Sequence, residues 1–123
     1  MNTDFQLIQK DKIGSVIGII GYIFAFIAAD QAESELIAEK YGNEGILNNS
    51  AAQTAAIATL FLLISLIIRG GNAFVRLYEN QEQLMKGEEV NSIIPNIYTT
   101  SGFALGIMGN TLRLVGALMR ANE

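Results

Sequence analysis

The chain of 123 residues contains no cysteine, no histidine and a single proline, Pro95. Without Cys and His, disulfides, thiolate nucleophiles, imidazole acid–base chemistry and zinc or haem sites built on those ligands are excluded. Charge is scarce as well, at 16% of residues against roughly 25% in an ordinary soluble domain. The eight Lys and Arg are scattered singly and the net charge is −4, so there is no basic patch for nucleic acid. No GxxxxGKS/T loop, HExxH pair or GxSxG elbow occurs. The sequence therefore yields no catalytic residue, no metal or cofactor and no small-molecule substrate, and the expectation is a protein that is not an enzyme. Glu33, Glu35, Glu39 and Glu44 lack EF-hand spacing and read as a solvated acidic face rather than a cation site.

What the chain has in abundance is apolar length. Half of its residues are hydrophobic, and residues 13–29 and 51–68 run for 17 and 18 positions without a charged side chain. A helix rising about 1.5 Å per residue needs around 20 such residues to cross a hydrocarbon core of about 30 Å. The stretch IATLFLLISLII, beginning at Ile57, is apolar on every face, unlike the amphipathic helix of a soluble core. These features predict an all-α integral membrane protein with two firm transmembrane helices and a third amphipathic, Gly-rich helix that either spans or lies in the interface. Lys10, Lys12 and the following apolar run also resemble the start of a signal peptide, but the run exceeds the 7–15 residues of a usual h-region, which favours an uncleaved span.

A single membrane domain is expected over residues 1–123. Residues 1–12 form a polar tail and 13–41 the first helix, its acidic extension stopping at Gly42. A loop through Gly45 to Asn49 leads to a transmembrane helix over 50–69, opened by small residues that should pack most closely at that end. Residues 72–86 form an amphipathic surface helix or a continuation of the second helix; 87–96 is a linker, and 97–120 the third helix. With the amino terminus in the cytoplasm, Lys10, Lys12, Arg69, Arg76 and Lys86 lie inside, as the positive-inside tendency prefers.

The most informative pattern is a stripe of small residues. At 100° per residue, Gly14, Gly18, Gly21, Ala25 and Ala28 share one narrow face of the first helix. In lipid, where apolar side chains gain nothing by leaving the tails, helices associate where small residues let backbones approach. The stripe is thus expected to pack against another helix. Gly102, Gly106 and Gly109 repeat its spacing in the third helix, so the two helices are expected to pack with each other or with copies of themselves. Asn110, Arg113 and Arg120 share the glycine side of the third helix, which divides it from an apolar side rich in Leu and Met. That polar side faces a lumen, lipid headgroups or water, because an arginine at membrane depth is costly unless it snorkels or pairs. Thr59 and Ser65 are expected to return their hydroxyls to carbonyls of their own helix.

From these features the expected function is that of a structural subunit, self-assembling or joining a larger membrane complex through its Gly/Ala seams, with membrane lipid as its surroundings. The alternative is a pore-forming or holin-like permeabilising protein, with the polar side of the third helix facing water.

Overall fold

The computed structural model describes residues 2–42, 50–87 and 93–123. The expected loop at Gly45 to Asn49 and much of the 87–96 linker lie outside the described residues. The rest is almost wholly helical: α1 (Asn2–Lys40), α2 (Ser50–Met85) and α3 (Ile94–Ala121). All three are long and apolar enough to cross a membrane, which suggests a membrane protein.

The helices are longer than the sequence reading has them, each for a local reason. α1 begins at Asn2 rather than after a polar tail, because no glycine or proline interrupts the chain before Gly14, and Asp4 favours its first turn. α2 runs through Gly70-Gly71 without a break, so residues 72–86 continue the second helix. Gly70 is buried there, and a Cβ on it would stand 3.1 Å from Phe103 Cβ of α3. The glycine serves helix contact rather than helix termination. α3 starts at Ile94 with Pro95 in its first turn, where a missing N–H costs nothing. α1 and α2 are each followed by a glycine in the left-handed region, Gly42 at φ +76° and Gly87 at φ +74°. The Tyr41 N–H bonds to Ile37 O at 3.1 Å and the Gly42 N–H to Glu39 O at 3.2 Å, closing off α1.

α2 is the centre of the molecule. It packs antiparallel to α1 on one side and to α3 on the other, while the α1 and α3 backbones nowhere come within 8 Å of each other among the described residues. Among the described residues the buried apolar core is thin and made chiefly of alanine, with Leu7 and Leu62 its only large members, and no large side chain is fully enclosed. Outward lies the opposite: Ile13, Val16, Ile19, Ile23 and Phe26 of α1 and Leu105, Met108, Leu112 and Val115 of α3 are all exposed. This arrangement suits a lipid solvent, since in water so large an apolar surface would drive association. Phe5, Phe74, Tyr78 and Tyr98, one or two from each helix, lie exposed near the Lys10–Lys12 end, as an aromatic belt at an interface would.

Two glycine substitutions test this packing. Gly21→Ala would place a methyl 3.0 Å from Leu62 and 3.2 Å from the Ala58 carbonyl, and we expect a loss of about 1–3 kcal/mol. Gly71 faces open space in ordinary helical backbone, so Gly71→Ala should stabilise by about 0.5–1 kcal/mol. Reversible SDS unfolding in mixed micelles measures both; equal effects at the two sites would contradict the packing described.

Candidate functional site

The stripe on α1 lies against α2. A Cβ on Gly14 would meet Arg69 Cγ at 2.8 Å, one on Gly18 would meet Ser65 Oγ at 2.9 Å, and one on Gly21 would meet Leu62 at 3.0 Å. Ala28 is buried on the same face, while Ala25 is half-buried beside a cleft. Thr59 returns its hydroxyl to its own helix, donating to Ala55 O at 2.8 Å. Ser65 does not: its Oγ donates across the interface to Gly14 O at 2.6 Å. The missing side chains at Gly14 and Gly18 bring the α1 carbonyl within reach, and a neighbouring helix then outcompetes the preceding turn. The glycines thus bring the two backbones together mid-span at Ser65, while Ala51, Ala56 and Ala58 are buried nearer the start of α2.

A second polar contact lies outside the expectations drawn from the sequence. Asn72 is almost wholly buried, and its Nδ2 donates to Leu7 O at 2.8 Å and to Asp11 Oδ1 at 2.9 Å. Asp11 Oδ2 also receives Arg76 at 2.9 Å. The available signal was Asp11, an acid between two lysines at the mouth of an apolar run, and an asparagine just past Gly70-Gly71. Asp11 and Arg76, together with Arg69, whose guanidinium lies 5.2 Å from the Phe103 ring centroid, line a cleft of about 340 Å³ shared by all three helices.

The glycines of α3 are placed differently. Gly106 approaches Leu66 at an ordinary 3.6 Å, whereas Gly102 and Gly109 face open space. α3 has no buried residue at all. Its polar side forms a local chain: Asn110 Nδ2 donates to Gly106 O at 3.0 Å, and Arg113 Nη1 donates to Asn110 Oδ1 at 3.1 Å. Arg113 and Arg120 then line a larger cleft of about 520 Å³ at the other end of the molecule, between α1 and α3. The glycine stripes of α1 and α3 thus do not meet: α2 separates them at Gly14, Gly18 and Gly21, and the open trough between α1 and α3 separates the rest.

The depth of Arg113 follows from the packing. Gly106 meets Leu66 and Gly18 meets the adjacent Ser65, so Gly106 and Gly18 lie at about the same level. Arg113 is seven residues further along α3, about two turns or 10 Å, and seven residues beyond Gly18 is Ala25. Both line the same cleft. Arg113 therefore sits inside the level of the charge-free run 13–29, with Arg120 two turns nearer its Asp30 end.

Compared with known proteins, the chain matches no family model, no curated protein and no solved structure.

Asn72→Ala would leave the buried Leu7 carbonyl without its side-chain donor and remove one partner of Asp11. We expect a loss of about 1–3 kcal/mol, with faster amide hydrogen exchange confined to the first turns of α1 and the facing turns of α2. Exchange that is unchanged there would mean that the contact does not hold the two helices together.

Proposed function

We propose that the chain is a non-enzymatic membrane subunit that assembles with copies of itself or into a larger membrane complex, and that α3 provides the assembly surface. The observation that supports this reading is the absence of any buried residue on α3, with nothing within 4 Å of a Cβ built on Gly102 or Gly109. A 28-residue helix held on one side only leaves a face where a further helix can approach closely. The α1 stripe is already engaged by α2, so it contributes to assembly only by making the hairpin rigid. With the amino terminus in the cytoplasm, the end carrying Lys10, Lys12, Arg69, Arg76 and Lys86 lies inside.

The pore-forming reading draws on a different observation: Arg113 and Arg120 line one shared cleft. If copies closed into a ring with that face inward, the lumen would favour anions.

Gly109→Leu separates assembly from folding, because the site faces open space. We expect native mass spectrometry of nanodisc-extracted protein to show a discrete oligomer for the wild type and monomer for Gly109→Leu, with unchanged helix content. A wild-type monomer, or an oligomer that survives the substitution, would sink the α3 assembly surface. Anion-selective conductance in liposomes that Arg113→Ala abolishes would favour the pore reading instead.

A further inference from the structure

The cleft between α1 and α3 at the start of α2 has walls too small to fill it, among them Ala25, Ala29 and Ala55, and it is lined by charges of both signs. Arg113 and Arg120 come from α3, Glu35 from α1, and Glu123 from the residues just after α3. These charges do not neutralise one another. The ion pair formed among the described residues is Arg76 with Asp11, at the opposite end, and the hydrogen-bond partner of the Arg113 guanidinium is the neutral Asn110. The charges are also ordered along the membrane normal. Glu35 Oε1 accepts the Ala51 N–H at 3.2 Å, at the very start of α2. Arg113 reaches the level of Thr59, which lines the same cleft about two turns deeper, and Arg120, two turns further along α3, returns to the level of the start of α2, so that Arg113 is the deepest charge and Glu35 lies at the outer end.

We propose that this cleft binds one phospholipid of the bilayer with a primary-ammonium headgroup, phosphatidylethanolamine, its phosphate on Arg113 and Arg120 and its ammonium on Glu35. Two arginines set into a protein cleft form the kind of basic site that holds a lipid headgroup. The order of charges matches the lipid: the phosphate is attached next to the glycerol and the ammonium lies further from the hydrocarbon. The alanine walls leave space for an acyl chain without offering it a polar partner. A helix from a second copy meets the requirement poorly, since neither charge-free run carries a carboxylate to offer Arg113 at that depth. The proposal goes beyond the assembly reading and does not depend on it, because neither Gly102 nor Gly109 lines the cleft.

The test reconstitutes the protein in vesicles of equal parts phosphatidylethanolamine, phosphatidylcholine and phosphatidylglycerol, extracts it gently and counts retained lipids by native mass spectrometry. Phosphatidylethanolamine should be retained preferentially. Arg113→Gln should lower that retention about fivefold, the factor that one basic residue contributes near an interface, while Arg113→Lys should largely keep it. Ala29→Phe fills the cleft with every charge in place and should lower retention as well, at unchanged helix content. Equal retention of the three lipids, preference for phosphatidylglycerol, or retention unaffected by both Arg113→Gln and Ala29→Phe would overturn the assignment. Lipid retention is scored within each oligomeric state, so a failure here is distinct from a failure to assemble.

Discussion

The structure depends on one close approach: the bare backbone of α1 at Gly14, Gly18 and Gly21 laid against Leu62, Ser65 and Arg69 of α2. In lipid the hydrophobic effect does not press two apolar helices together, and what holds them is contact and hydrogen bonding. Removing three side chains supplies the first. It also brings Gly14 O within 2.6 Å of the Ser65 hydroxyl, which supplies the second. The Asn72 contacts to Leu7 O and Asp11 continue the same interface beyond the charge-free run. α2, fixed in this way along its α1 face, then presents Gly70 and Leu66 to α3.

The contrast between the two outer helices bears on function. α1 is tied to α2 by buried polar contacts at several levels, whereas α3 is joined through Phe103, Ile107 and Gly106, with Thr100 Oγ1 donating to Ala73 O at 3.3 Å. A rigid hairpin carrying a third, one-sided helix is the arrangement the proposed subunit role calls for, since a neighbour could join the uncovered face of α3 without reopening the core. The trough between α1 and α3 belongs to the same design. It exists because α2 keeps the two outer helices apart, and it is where the residual charge of α3 is collected.

Much of this architecture is legible in the sequence, for a simple reason: in a membrane chain, length without charge is a strong signal. Residues 13–29 and 51–68 each read as a helix able to span, and Gly42 reads as the place where α1 ends. Partners are the harder part. The stripe at Gly14, Gly18 and Gly21 shows a face suited to contact but does not say which helix covers it; the similar spacing at Gly102, Gly106 and Gly109 suggests packing of the two helices with each other or with copies of themselves, and within the chain α2 covers the α1 stripe instead. Gly70-Gly71 reads locally as an interface, yet a glycine needed for tertiary contact has the same sequence as one that ends a helix. Asn72 and Ser65 were missed or misassigned because their partners lie 65 and 51 residues away. No local pattern carries information over such separations.

The absence of native cysteine makes the central claim directly testable. A Cβ built on Gly18 lies 3.6 Å from Ser65 Cβ, within the range a disulfide requires. The Gly18→Cys/Ser65→Cys protein, oxidised in its membrane, should therefore form the bond within one chain and run as a monomer on a non-reducing gel. A disulfide formed only between chains, seen as a covalent dimer, would mean that the α1 stripe packs against another copy and would contradict the account.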